Sequence, residues 1–249
     1  MRVFSAEFIK LRRSLSWPVV IGLPVAVVLL GAATNLARGE QPVDGWRGVW
    51  VQLMGFHGLF PLALGVAILG SLLWRGEHRG SNWNALMAGP MSSLSIVAAK
   101  AAVVAGLAAV MQFVMLGAVV AVGKFGFGLP GMLPAQYLWT TLLIVAATLP
   151  LATLQSSLSL LLRSFAAPIA VAFVGAGVSV VALMMVGDLV IVSPYALATR
   201  ASVLGTGAFS DPGTVTSGTI ATLLAAAAGL TLALIAATAA YLDRRDIRV

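Results

Sequence analysis

Long stretches without a charged residue alternate along this chain with short polar segments. A helix needs about 20 apolar residues to cross a bilayer, because each residue adds about 1.5 Å and the hydrocarbon core is about 30 Å thick. Six stretches qualify once FGFGLPGMLPAQ, residues 125–136, is taken as a Gly/Pro-rich outer loop. The pattern predicts an all-α, polytopic membrane protein with a single transmembrane domain over residues 1–249. We expect spans near 17–36, 50–74, 94–123, 137–162, 167–187 and 216–241.

The composition excludes an ordinary soluble domain. Only 9% of the residues are charged, 60% are hydrophobic and the mean hydropathy is +1.01, whereas soluble domains carry about 25% charged residues. The net charge of +7 is spread between apolar runs, so we expect no nucleic-acid partner. With no cysteine, disulfides, zinc thiolates and thiol nucleophiles are excluded. The first apolar run is long enough to span and lacks a small-residue cleavage site, so no cleavable signal peptide is expected.

The basic residues predict an orientation. If both termini lie on one side, that side holds eleven Lys and Arg residues and the other holds four. Loops with more positive charge face the cytoplasm, so both termini and the segment 75–93 are predicted to be cytoplasmic. The four on the other side are Arg38, Arg47, Lys124 and Arg200.

The first 16 residues predict an interfacial amphipathic helix. Its apolar positions recur at helical spacing, and basic residues lie between them. The helix either anchors the chain to membrane lipid or also touches a cytoplasmic partner. The residues that form the apolar face and the charged surface of this predicted helix are Phe4, Glu7, Phe8, Lys10, Leu11, Arg12, Arg13 and Leu15.

A second polar segment, 75–93, separates the second and third spans. After Gly80, Ser81 is a plausible N-cap for two helical turns with Trp83, Leu86 and Met87 on one face. So short a helix is not stable alone in water, so that face must be buried. It either folds back on the membrane surface or enters a groove of a soluble subunit, with Glu77 on a charged flank that sets the register.

The spans contain no visible source of energy or catalytic motif. There is no midplane carboxylate of the kind that proton- or sodium-driven transporters use, and neither HExxH nor GxSxG occurs. The nearest string to a Walker A loop, GAVVAVGKF at 117–125, has the wrong spacing and lacks its Ser or Thr.

His57 is the one titratable group well inside a span, either as a hydrogen-bonded packing residue or as a proton carrier. Pro24, Pro61 and Pro150 kink their spans for packing or mark moving parts.

Three features of the chain resemble the type-2 ABC exporter permeases, especially the compact six-span group associated with lantibiotic (bacteriocin) immunity. The segment AEFIKLRRS, 6–14, is similar to the family's N-terminal E-x-x-K-x-x-R-S pattern. The segment 60–100 resembles its second span, coupling loop and third-span entry, and the six-span count covers the whole chain. Ser92 and Ser93 replace an arginine common in the family. The matching positions are Glu7, Lys10, Arg13, Ser14, Phe60, Pro61, Leu62, Glu77, Trp83, Leu86, Pro90 and Lys100.

The resemblance implies a multi-pass permease of the bacterial cytoplasmic membrane. It would pair with a cytoplasmic ABC ATPase, which uses ATP and Mg, while this chain binds no cofactor or metal and is not itself an enzyme. A second permease copy would be needed to enclose a path. The segment 188–215 would be an outer loop or re-entrant hairpin, and the ATPase would dock on Glu77, Trp83, Leu86 and Met87.

Two other functions stay open at this stage. A membrane-embedded enzyme or assembly factor would need a polar cluster, for which the candidates are Gln112, Gln155, Ser156, Ser157 and Ser159. Interhelical hydrogen bonding is the alternative role for such residues. A passive channel is the other function. The apolar spans favour an amphipathic or apolar cargo, such as a lantibiotic-like peptide, with a lipid or drug as alternatives.

Overall fold

A computed structural model describes residues 14–78, 91–208 and 211–246, with the backbone alone at 245 and 246. These residues form eight α-helices and no strand, which confirms the all-α prediction. A π-helical turn, Val122–Gly126, extends α4, and a 3-10 helix, Gly187–Val192, follows α6. The helices are α1 Ser16–Arg38, α2 Trp46–Leu59, α3 Pro61–Arg75, α4 Ser93–Ala121, α5 Ala135–Leu161, α6 Ala166–Val186, α7 Pro194–Ser202 and α8 Ser217–Asp246.

Five helices of the described chain are long and apolar enough to cross a membrane, and a bent pair brings the number to six. The bent pair is α2 and α3, which meet at 45° where a single span over 50–74 was expected. Pro61 explains the break, because proline lacks an N–H and disfavours helical geometry in the residue before it. Phe60 accordingly leaves the helical region, with φ −133° and ψ −47°. Pro24 and Pro150 lie inside continuous helices.

Helix α5 lies at the centre of the bundle and packs against α3, α4, α7 and α8. Its best apolar stretch is 56% buried, compared with 11% for α8 and 22% for the span that contains α6. Near the start of α5, the ring of Tyr137 lies 4.6 Å from the ring of Trp50 on α2. The outer helices therefore leave most of their apolar surface uncovered in a single chain.

Helix α7 is short and buried, although the residues alone indicated only a moderately apolar outer segment there. Every residue from Tyr195 to Ser202 is buried, and α7 packs against α2, α5 and α6. Glycines allow this approach. A Cβ at Gly58 would lie 2.2 Å from the Cβ of Ser202, and one at Gly175 would lie 2.6 Å from the Tyr195 ring. The Thr199 hydroxyl donates to the Gly58 carbonyl oxygen over 3.0 Å.

Gly58→Ala should therefore destabilise the protein by about 1–3 kcal/mol, the usual cost of an overpacked core. The measurement is thermal unfolding of the purified protein in detergent. Gly106→Ala is the matched control, because a Cβ there meets nothing within 4 Å, and alanine favours the helix over glycine. Equal melting temperatures for the two variants would contradict the close approach of α7 to α2.

Candidate functional site

A buried ion pair joins the start of the polar segment 75–93, just after α3, to the second turn of α4. The Lys100 Nζ donates to the Glu77 Oε1 over 2.8 Å. Glu77 is 6% exposed and Lys100 is 2% exposed. Glu77 was predicted on a charged flank of the segment, and the turn after Trp74 directs its carboxylate inward, towards Lys100. Lys100 is paired inside the protein.

The same region is fastened to α5. The Trp74 indole Nε1 donates to the Ser156 Oγ over 3.0 Å, and the Lys100 ammonium lies 5.0 Å from the centre of the Trp74 ring. The His78 Nε2 donates to the Ser159 carbonyl oxygen over 2.7 Å. We call these six residues the loop base: Trp74, Glu77, His78, Lys100, Ser156 and Ser159.

Three consecutive residues of α5 then reach three different helices, because successive side chains on a helix point about 100° apart. The Gln155 Nε2 donates to the Tyr195 hydroxyl of α7 over 2.7 Å. Ser156 accepts from Trp74 of α3. Ser157 accepts from the Thr238 hydroxyl of α8 over 2.9 Å. These residues hold helices together instead of converging on one space, which is the interhelical role that the sequence left open beside an embedded enzyme.

Two other polar side chains inside the bundle are placed differently from expectation. His57 is fully buried, yet neither ring nitrogen has a hydrogen-bond partner among the described residues. His57 is therefore packed inside the bundle, and none of the described residues supplies the hydrogen bond that the packing role predicted. Gln112 is also fully buried, and its amide has no partner in the described chain.

A second charged cluster lies at the end of the bundle remote from the loop base. Arg200 of α7 is 2% exposed, and its guanidinium donates to Asp188 over 2.5 Å and to Asp211 over 2.7 Å. Burial by itself lowers the pKa of Arg200, but the hydrogen bonds and charges of the two carboxylates outweigh it and raise the pKa. The other oxygen of Asp211 accepts from the backbone N–H groups of Gly207 and Gly213, each over 3.0 Å.

The sequence did not predict this Arg200 cluster, and Arg200 was placed among the four basic residues of the side opposite the termini. The one available signal is an arginine in a run of small apolar residues with acids 12 residues before it and 11 after it. Within the described parts of the chain, no three His, Asp or Glu side chains are grouped as a metal site.

The predicted contact residues of the interfacial helix and of the segment 75–93 divide into two groups. Glu77 lies in the loop base, as described. The others fall outside the described residues, so their roles stay predictions: Glu7, Phe8, Lys10 and Arg13 of the interfacial helix, and Trp83, Leu86 and Met87 of the short helix.

Comparison with known proteins identifies the family. The model of the ABC-2 family transporter proteins matches residues 3–181, which include α1 to α5 and most of α6. The chain belongs to the ABC-2 transporter family. Members of this family are the membrane subunits of ABC transporters and work with an ABC ATPase subunit, so this chain is a multi-pass permease subunit. No curated protein matches the chain, and no solved structure matches it either.

The buried ion pair gives a direct test of the loop base. Glu77→Gln should destabilise the permease by about 3–5 kcal/mol, because it leaves the Lys100 charge buried without its partner. The double variant Glu77→Gln/Lys100→Met should recover much of that loss, as measured by thermal unfolding in detergent.

The matched control is Asp243→Asn, which removes an exposed carboxylate near the end of α8 and should change stability by less than about 0.5 kcal/mol. The loss of stability in the double variant is compared with the losses in Glu77→Gln and Lys100→Met alone. If it equals their sum, Glu77 and Lys100 are not coupled.

Proposed function

We propose that this permease belongs to an ATP-driven exporter whose cytoplasmic ABC ATPase docks on the segment 75–93. The observation that carries the proposal is the loop base. A polar segment that only covered the membrane surface would need no buried ion pair, whereas a segment that transmits force needs a rigid attachment to the spans. Here the chain at both ends of the segment is joined by Glu77 and Lys100 and held on α5 by Trp74 and His78.

The hydrogen bonds indicate which helices would move when the segment is displaced. Movement of α3 and α4 at the loop base is passed to α5 through Ser156 and Ser159. The neighbouring Gln155 holds Tyr195 of α7, and α7 in turn holds α2 through Thr199. Glu77 thus acts by positioning the segment, while Trp83, Leu86 and Met87 supply the apolar face that the ATPase covers. ATP and Mg are bound by the ATPase and not by this chain.

The exposed apolar helices support the remaining parts of the proposal. A single chain leaves α1, α6 and α8 mostly uncovered, which suits membrane lipid around them and a second permease copy to enclose a path. The cargo is amphipathic or apolar, since the spans carry no ring of charge. Within that class we propose a lantibiotic-like peptide, following the resemblance of segments 6–14 and 60–100 to the immunity permeases.

Docking is tested by co-purification of the permease with a co-expressed ABC ATPase from a neighbouring gene. Trp83→Ala/Leu86→Ala should reduce the recovered ATPase at least about tenfold, because each large apolar side chain contributes roughly 1.5–3 kcal/mol when buried. Glu77→Gln/Lys100→Met should retain the ATPase but lower transport in proteoliposomes, since it removes the attachment and keeps the apolar face.

The control for the docking variants is Trp139→Ala, which removes an exposed tryptophan near the start of α5 and should leave ATPase recovery unchanged. Unchanged recovery and transport in Trp83→Ala/Leu86→Ala would overturn the docking assignment. Solute leakage from liposomes that hold the permease alone, without ATP, would favour the passive channel instead.

The proposed orientation, with both termini in the cytoplasm, is tested by labelling introduced cysteines in a chain that has none of its own. Phe125→Cys, at a position 91% exposed beyond α4, should react with an impermeant maleimide in intact spheroplasts. Asp243→Cys, near the end of α8, should react only after permeabilisation. The opposite pattern would reverse the orientation and place the segment 75–93 outside.

A further inference from the structure

A cavity of about 830 Å³ opens between α5, α8 and the segment that follows α7. It lies at the end of the bundle remote from the loop base, because the first turns of α5 and α8 line it. Its volume is in the range of cavities that hold small molecules. Most of its wall is apolar and comes from Leu142, Leu143, Leu204, Val215, Ile220 and Leu224.

The polar lining is concentrated where the helices begin. Arg47 is at the start of α2, and Gln136 and Thr140 are in the first turns of α5. Leu143 and Leu224 lie two turns further into their helices. Trp139 lies beside Gln136 and Thr140 near the start of α5 and is 69% exposed. Tryptophan is enriched at membrane–water interfaces. The cavity is therefore polar at the interface and apolar towards the bilayer interior.

The charged lining of this cavity is positive. Arg47 is its one charged lining residue among those described, and no carboxylate lines it. The Arg47 guanidinium makes no ion pair with the described residues. The carboxylate of Asp211, in the neighbouring segment, is already occupied by Arg200, Gly207 and Gly213.

The Arg200 cluster also fixes the wall of the cavity. Asp211 accepts from the N–H of Gly213, and Arg200 belongs to the same helix that leads into Leu204 and Gly205. Gly205 and Gly213, which line the cavity, both have positive φ, +74° in each case. The described residues on both sides of 209–210 are thus tied to buried charge, which supports a cavity wall that is formed before any ligand enters.

We propose that this cavity binds a phospholipid with a net negative headgroup. The lipid phosphate pairs with Arg47 at the interface, where a guanidinium can hold two phosphate oxygens. One acyl chain lies against Leu143, Ile220 and Leu224. This arrangement satisfies the cation and covers the apolar wall with one molecule that the membrane supplies, whereas a purely apolar ligand would leave Arg47 unmatched.

Quenching of tryptophan fluorescence by brominated lipids tests the proposal in the purified permease without any ATPase. The signal of Trp139 is the difference between the wild type and Trp139→Phe. Brominated phosphatidylglycerol should half-quench this signal at about fivefold lower concentration than brominated phosphatidylcholine with the same acyl chains, as expected for one basic residue near an anionic lipid.

Variants of Arg47 and Arg38 test whether the preference for the anionic lipid depends on Arg47. Arg47→Gln should make the two lipids equivalent, and Arg47→Lys should keep part of the preference. Arg38→Gln, which neutralises an exposed arginine at the end of α1 outside the cavity, should keep all of it. Thermal unfolding verifies that each variant is folded.

Three results would overturn the proposal. Equal quenching by both lipids in the wild type would show that the headgroup is not recognised. The same loss in Arg38→Gln and Arg47→Gln would assign the preference to general surface charge. Absence of Trp139 quenching by either lipid would show that another occupant, such as a second copy of the chain, covers the cavity.

Discussion

A helix bundle inside a membrane gains little from the hydrophobic effect between its helices, because lipid tails are as apolar as the side chains. In this permease the missing attraction is replaced by close packing and by hydrogen bonds that radiate from α5. Gln155, Ser156 and Ser157 reach α7, α3 and α8 in turn. A change of one residue in the phase of this helix would direct all three side chains to the wrong neighbours. The position of α5 therefore determines how the other helices meet.

The same arrangement explains why the polar segment 75–93 is attached at both of its ends. An ion pair buried in a low dielectric is strong only when its geometry is well held, and Trp74 provides that geometry by contacting both Lys100 and Ser156. The two helices that flank the segment are thereby joined as one rigid unit. Under the proposed function, such a unit would follow a docked ATPase without bending, which a flexible loop between separate helices could not do.

Hydrophobic periodicity predicted the spans to within a few residues, because length and apolarity are local properties of the chain. Pro61 indicated a kink near this position, but the sequence predicted one continuous span over 50–74 and not a break at Phe60. The inward position of Glu77 could not be predicted, since its partner Lys100 is 23 residues away and an acid in a polar segment looks exposed. The burial of α7, within the segment expected as an outer loop or re-entrant hairpin, could not be predicted from the residues alone for a similar reason, because it depends on Gly58 and Gly175 in other helices.

The Arg200 cluster predicts an order in which the chain folds. Its arginine is enclosed by an acid that precedes it, Asp188 after α6, and by one that follows it, Asp211 before α8. Until the second acid has left the insertion machinery, α7 carries a charge that lacks half of its compensation. Helix α7 is therefore expected to settle against α2 and α5 late, after the chain on both sides of it has been delivered. A helix that is too short to cross the membrane thus forms part of the interior of this permease.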